Sequence, residues 1–87
     1  MIQDTSLEAF KSVIPHLGEC QWQIYRHMRL NRHRDFTNKQ LAYELGKPIN
    51  TVTPRVLELR DMGLVVFSKF VVQVNGRRAR AWKVNME

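Results

Sequence analysis

The apolar residues in the first third of the chain recur at helical spacing. Thr5 and Glu8 form a capping-box pair, and an apolar stripe follows them. Because Pro15 would end the helix, this pattern predicts a short N-terminal helix over residues 5–15. A second stripe, with an apolar residue at every fourth position, predicts a helix over residues 19–32. Both helices would turn one apolar face towards a shared core.

The third helix has clear signals at both of its ends. Thr37 and Gln40 form another capping box, in which each side chain satisfies a backbone N–H of the first turn. Gly46 suits the left-handed conformation that often ends a helix. The sequence therefore predicts a helix over about residues 38–45.

A fourth helix follows a short turn, and either of two residues can begin it. Asn50 and Thr51 both favour the N-cap position. If Thr51 is the cap, Pro54 falls in the first turn, where its missing N–H costs little. The predicted helix then spans residues 51–62 and completes a helix-turn-helix over residues 37–63.

Residues 64–85 are predicted to form a β-hairpin. The segment is rich in β-branched and aromatic residues, which favour strands. Asn75 followed by Gly76 favours a two-residue type I′ turn between the strands. Ser68 and Lys69 interrupt the apolar run of the outgoing strand and mark a candidate kink or bulge. The predicted fold class is α+β, with a three-helix core, a short N-terminal helix and a C-terminal hairpin.

Length and composition indicate one small domain, residues 1–87, without a site for catalysis or for a metal. Cys20 is the single cysteine, which excludes an internal disulfide, and three scattered histidines add no tetrahedral zinc set. The N-terminus lacks a basic segment followed by an apolar run, and no apolar stretch reaches membrane-spanning length. We therefore expect a cytoplasmic protein that is not an enzyme, uses no cofactor and needs no membrane.

Positive charge is concentrated after the first segment of the chain. The net charge is +6, yet residues 1–20 hold one lysine against three acidic residues. Residues 21–63 hold eight basic and four acidic residues, and residues 64–87 hold five basic and one acidic. Such a surface attracts polyanions, nucleic acid first and an anionic membrane second, although a charged surface that only keeps the protein soluble has the same composition.

The helix-turn-helix has the spacing at which two helices cross closely. Ala42 is the small residue needed at the crossing, Gly46 provides the left-handed turn, and Val52 locks the second helix onto the first. With these features, the stretch from Thr37 to Val66 resembles winged helix-turn-helix proteins of the MarR-like kind. The whole chain is similar to small winged-helix proteins of bacteriophages and prophages. The resemblance implies a winged-helix fold, binding to double-stranded DNA and a bacterial host cell.

One position departs from the pattern of that family. The residue after the turn glycine is usually apolar, whereas here it is Lys47. We expect Ile49 to take over the packing role. The resemblance implies a transcriptional or phage-development regulator, without naming the gene that it regulates.

The second helix of such a pair enters the major groove, with its N-terminal half towards the base edges. Asn can pair with adenine, Arg with guanine, and Thr methyl groups can meet thymine methyls. Two alternatives stay open, namely that Asn50 or Thr51 serves only as a cap and that Arg55 covers apolar surface with its stem. Glu58 and Asp61 would repel phosphate, which confines the contact to the first two turns. The candidate base-contacting residues are Asn50, Thr51, Thr53, Pro54 and Arg55.

Contacts to the DNA backbone are expected from the hairpin and from the start of the third helix. Arginines on a thin hairpin can reach phosphates or a narrow minor groove, although charge on an edge strand also prevents aggregation. A helix N-terminus offers free N–H groups to a phosphate. The candidate backbone contacts are Lys39 and Lys47 together with Arg77, Arg78 and Arg80 in the wing, residues 74–80.

Two features suggest a different class of function, a docking adaptor for a replication, recombination or transcription complex. Leu57 lies off the buried stripe of its helix, where it packs on the hairpin or enters a protein interface. Residues 26–34 form a second basic cluster. Three interpretations stay open: a second contact to the DNA backbone, a site for a protein partner, or a helix face that is only solvated. The formation of a homodimer or of a complex with another protein is therefore an open alternative. RNA or single-strand binding is less favoured, because the aromatic residues lack interleaved basic ones. The cluster comprises Arg26, Arg29, Arg32, His33 and Arg34.

Overall fold

Three helices and a three-stranded antiparallel sheet make up residues 17–85, the part of the chain that the computed structural model describes. The helix predicted over residues 5–15 lies outside the described residues. The α+β architecture with three helices and a C-terminal hairpin is confirmed. The elements in chain order are α1 (Glu19–Leu30), β1 (Phe36–Thr37), α2 (Asn38–Leu45), α3 (Ile49–Asp61), β2 (Val65–Val72) and β3 (Arg78–Val84).

Helix α1 is two residues shorter than its predicted range of 19–32. It ends at Asn31, whose backbone has left the helical conformation (φ −119°, ψ 46°) and whose side-chain Nδ2 donates to the carbonyl oxygen of His27 at 2.8 Å. At the other end, the N–H of Gly18 donates to Gln21 Oε1 at 2.8 Å. The buried face of α1 consists of Trp22, Ile24, Tyr25 and Met28.

Helix α2 has the bounds and both end structures that its sequence predicts. Thr37 Oγ1 accepts the Gln40 N–H at 3.2 Å, and Gln40 Oε1 accepts the Thr37 N–H at 2.9 Å, which completes the capping box. Gly46 ends the helix with φ 65°, a left-handed conformation that a side chain would strain. Both signals are confirmed.

The predicted start of the fourth helix is wrong. Helix α3 begins at Ile49, after Pro48, and the N–H groups of Thr51 and Val52 both donate to the carbonyl oxygen of Pro48, at 3.0 and 3.2 Å. Pro48 already has the φ of −64° that suits a helix entrance. Neither Asn50 nor Thr51 is therefore an N-cap. Pro54 is the sixth helical residue instead of lying in the first turn, so the helix lacks one backbone hydrogen bond there.

The sheet contains one strand that the sequence does not predict. Strand β1 has only two residues, and it pairs antiparallel with β3 through Phe36 opposite Trp82 and Thr37 opposite Ala81. Two residues are too few to show the alternation that identifies a strand. The strand order is β1-β3-β2, so β3 lies in the centre of the described sheet.

The hairpin confirms the predicted irregularity but not the predicted turn. The pairing of β2 with β3 shifts register between Phe67 and Lys69. In the loop, the Gly76 N–H donates to Gln73 O at 2.9 Å, and Gly76 has φ 82°. The φ of Asn75 is not positive. This excludes a type I′ turn, because both central residues of that turn need a positive φ. The connection is a longer loop that ends in a left-handed glycine.

The core lies where the three helices meet the inner face of the sheet. Helix α3 contributes Val52, Val56 and Leu59, all fully buried. Within residues 17–85, no helix combines the length and the apolar character that a membrane crossing requires. The other core residues are Trp22, Ile24, Tyr25, Met28, Phe36, Leu41, Val65, Trp82 and Val84.

Candidate nucleic-acid interface

An open groove of about 580 Å³ lies between α3 and the hairpin. Ile49, Thr53 and Leu57 line it from α3, since residues four apart share one side of a helix. The expectation that Ile49 takes over the packing role of the residue after Gly46 is wrong, because Ile49 is 41% exposed and lines the groove instead of joining the core. Leu57 is half-buried in this groove, which accounts for its position off the buried stripe.

The rest of the groove lining is partly apolar and partly basic. Phe70 and Trp82 are apolar lining residues, and the guanidinium of Arg78 lies 5.1 Å from the centre of the Phe70 ring. Lys39 at the start of α2 and Arg80 on β3 are exposed lining residues. Three of the predicted backbone contacts, Lys39, Arg78 and Arg80, are thus brought to one groove.

Polar groups near the start of α2 also face this groove. Asn38 Nδ2 lies 3.4 Å from Thr53 Oγ1 and ties the start of α2 to α3. The other side-chain atom, Asn38 Oδ1, is buried without a hydrogen-bond partner among the described residues. Asn38 is a groove residue that the sequence does not indicate, because nothing in its sequence context separates it from an ordinary first-turn residue.

The predicted base-contacting residues occupy three different sides of α3. Asn50 is exposed on the outer side, and Thr53 lines the groove. Pro54 and Thr51 are half-buried. With the cap at Pro48, the side chains of Asn50 and Thr51 are not needed to begin the helix. Base contact by these residues stays a prediction.

Arg55 lies on the side of α3 that faces α1. Its Nη2 donates to Glu58 Oε2 at 2.8 Å, and its Nε lies 2.8 Å from Glu58 Oε1 without the alignment of a hydrogen bond. Glu58 Oε1 also accepts from Gln21 Nε2 at 2.6 Å. The sequence does not predict this pairing, since it indicates Glu58 only as a residue that repels phosphate.

Two predicted backbone contacts lie away from the groove lining. Arg77 is exposed in the hairpin loop, where its backbone N–H donates to Asn75 Oδ1 at 3.0 Å. Lys47, in the turn between α2 and α3, lines a second depression on the side of α1, together with Arg26. The groove and this depression are therefore separate surfaces.

Part of the basic cluster over residues 26–34 has a structural role. Arg34 Nη2 lies 2.6 Å from Glu44 Oε2, and its guanidinium stacks 4.3 Å from the centre of the Phe36 ring. His27 Nε2 lies 2.7 Å from Glu44 Oε1. Arg29 donates to the Tyr25 hydroxyl at 3.4 Å. The contacts of His27 and Arg34 with Glu44 connect α1 and the following loop to α2.

Two residues of this structural cluster, Glu44 and Tyr25, have shifted pKa values. The hydrogen bond from Arg34 and, to a smaller degree, the hydrogen bond from His27 lower the pKa of Glu44 below its ordinary value. Burial raises the pKa of the Tyr25 hydroxyl, and the nearby Arg29 partly offsets that effect. Within residues 17–85, no group of histidine, cysteine and carboxylate side chains could hold a metal ion. The groove therefore offers cations, amides and apolar surface.

A solved structure described as a possible transcriptional regulator from Methanosarcina mazei Go1 has the same arrangement, with a TM-score of 0.75. The sequence identity is 15%, and the match covers 92% of this chain and 65% of the other chain. The chain has a winged-helix fold. No protein-family model and no curated protein sequence matches it. At this identity the likeness shows the fold alone, and the chain spans only about two thirds of the length of that neighbour.

In this winged helix, α2 and α3 form the helix-turn-helix, and the β2–β3 hairpin is the wing. The groove lies between the helix and the wing, and its cations come from the wing and from the start of α2. The fold thus places a polar helix end, an apolar groove and exposed cations on one side of the molecule.

Proposed function

We propose that this protein binds double-stranded DNA, with α3 in the major groove and the wing on the adjacent backbone, and that it acts as a transcriptional or phage-development regulator. The observation that supports this best is the convergence of Lys39, Arg78 and Arg80 on the groove beside the exposed start of α3. Exposed cations beside a helix that can enter the major groove form the usual arrangement of a DNA-binding module.

The two halves of this surface have different parts in the proposal. The cations of the wing and of α2 neutralise phosphates, which gives affinity that depends on salt and not on sequence. Asn50 and Thr53, together with Pro54, present hydrogen-bonding and apolar groups to base edges. Catalysis has no part in the proposal, and work in the cytoplasm of a bacterial host stays a prediction.

The experiment compares one wing variant and one helix variant on two duplexes, one selected from a random pool and one unselected. Replacing Arg78 and Arg80 by glutamine should weaken binding to both duplexes. It should also reduce the slope of log K against log salt by about 1.8, or roughly 0.9 for each phosphate contact. Asn50→Ala should weaken only the selected duplex, by about 1–3 kcal/mol, and leave the slope unchanged.

Lys83→Gln is the matched control for the wing variant. Lys83 is an exposed lysine of the same strand, β3, but it does not line the groove. Its replacement removes a positive charge without removing a proposed contact. If Lys83→Gln reduces the slope as much per charge as the wing variant does, binding reflects overall charge and the proposed interface is wrong.

The adaptor alternative has a distinct signature in the same experiment. Weak and equal binding to every duplex, together with capture of a defined protein that survives high salt and nuclease, would favour the adaptor. The feature of α3 that suggested an adaptor, Leu57, is half-buried in the groove. Leu57 also packs against the core, so its apolar side chain has partners within this domain.

A further inference from the structure

Helix α3 neutralises its own charges. It contains two arginines and two acidic residues, and each arginine is paired with an acid of the same helix. Arg60 Nη2 lies 3.0 Å from Asp61 Oδ1, and Arg55 is paired with Glu58 as described above. The helix that enters the major groove in the proposed function therefore presents no unpaired arginine, whereas the wing does.

The Arg55–Glu58 pair is better fixed than an ordinary surface ion pair. Both carboxylate oxygens of Glu58 are engaged, with Arg55 at Oε1 and Oε2 and with Gln21 at Oε1. Gln21 is itself held, since its Oε1 accepts the Gly18 N–H at the start of α1. The Arg55 side chain is 35% exposed and its Nε is closed to solvent. The guanidinium thus has a fixed partner before any ligand arrives.

We propose that Glu58 is a specificity-determining residue that withholds Arg55 from DNA phosphates. The proposal rests on the proposed function. Sequence-independent binding takes nearly all of its free energy from phosphate contacts. A free arginine on α3 would add such a contact at every position along DNA to which the protein slides. On a specific site, by contrast, base contacts fix the position of the protein. By occupying Arg55, Glu58 lowers affinity for random DNA more than affinity for the specific site.

Under this proposal Arg55 is paired with Glu58 and does not contact a base, in contrast to the prediction from the sequence. Gln21 and Glu58 keep the guanidinium turned towards α1, on the opposite side of α3 from the groove residues Thr53 and Leu57. Arg55→Gln should therefore change the affinity for the selected and the unselected duplex by the same factor. A base-contacting arginine would instead lose about 1–3 kcal/mol on the selected duplex alone.

The decisive experiment is a double-mutant cycle with the 87-residue chain and the two duplexes. Glu58→Gln keeps the shape of the side chain and an oxygen for Gln21. With one more phosphate contact, the slope against log salt should steepen by about 0.9, and affinity for the unselected duplex at 0.1 M salt should rise about eightfold. The gain on the selected duplex should be smaller, so discrimination falls. Thermal unfolding followed by circular dichroism verifies that each variant is folded.

The matched control is Glu58→Gln in the Arg55→Gln background, which removes the same negative charge but has no arginine to release. The steepening of the slope should disappear there, because no arginine is released to a phosphate. A slope that still steepens in this background, or a selective loss in Arg55→Gln on the selected duplex, would overturn the proposal while leaving the proposed function intact. If the unmodified protein shows no salt-dependent duplex binding, the proposed function fails and this inference fails with it.

Discussion

Replacing Pro54 by alanine should stabilise the protein, because the structure places this proline inside α3. As the sixth helical residue it cannot donate a hydrogen bond to the carbonyl oxygen of Asn50, and its ring crowds that oxygen. A proline in a helix interior costs about 3 kcal/mol relative to alanine. Position six is just past the first turn, so only part of that cost applies.

The net effect can be estimated from two opposing terms. Recovery of one hydrogen bond and relief of crowding favour Pro54→Ala by about 1–2 kcal/mol. The loss of the restriction that proline imposes on the unfolded chain opposes it by about 0.4–1 kcal/mol. A net gain of about 1 kcal/mol would raise Tm by roughly 4–8 °C in a domain of this size. Thermal and urea unfolding, followed by far-ultraviolet circular dichroism, measures both quantities.

Thr51→Ala shows whether the reasoning about the helix start is correct. In the structure Thr51 is an ordinary first-turn residue, so its replacement should change stability by less than about 0.7 kcal/mol. If α3 began at Thr51, the same change would remove an N-cap and cost about 0.5–2 kcal/mol. Unchanged or lower stability in Pro54→Ala, with a clear loss in Thr51→Ala, would refute the start at Ile49.

Three further predictions concern stability. Thr37→Ala should cost about 1 kcal/mol in urea unfolding, because it removes the N-cap of α2. Gly76→Ala should cost about 1 kcal/mol in the same assay, since Gly76 has φ 82°. Glu44 has a lowered pKa in the folded state, so it stabilises the protein above the ordinary glutamate pKa and loses that effect as pH falls through the folded value. The stability difference between the unmodified protein and Glu44→Gln should therefore shrink on acidification; a pH-independent difference would contradict the role of Glu44.

Much of the fold could be predicted because its local signals are strong and short-ranged. The capping box of Thr37 and Gln40 and the left-handed Gly46 depend only on neighbouring backbone groups, and all three are where the sequence places them. Strand β1 could not be predicted, because it exists only through its pairing with β3, far away in the chain. The type I′ turn was wrong because Asn75 uses its side chain to accept a loop N–H instead of adopting positive φ.

The candidate site could be predicted in composition but not in arrangement. The sequence identifies Lys39, Arg78 and Arg80 as cations, yet only the fold shows that they meet at one groove with Thr53. Arg55 has the residue type of a guanine contact, but its direction is set by Glu58 and by Gln21, which lies on another helix. Helical periodicity does not indicate which charged residues will pair when they lie on elements that are distant in sequence.

The most direct test of DNA binding is a salt titration of the unmodified protein on a selected duplex, an unselected duplex and a single strand. Four exposed cations, Lys39, Arg77, Arg78 and Arg80, are available at the groove and in the wing. We expect a slope of log K against log salt of roughly −3.6 on duplex DNA, with a clear preference for the selected duplex. Weak and equal binding to all three ligands would contradict the proposed function.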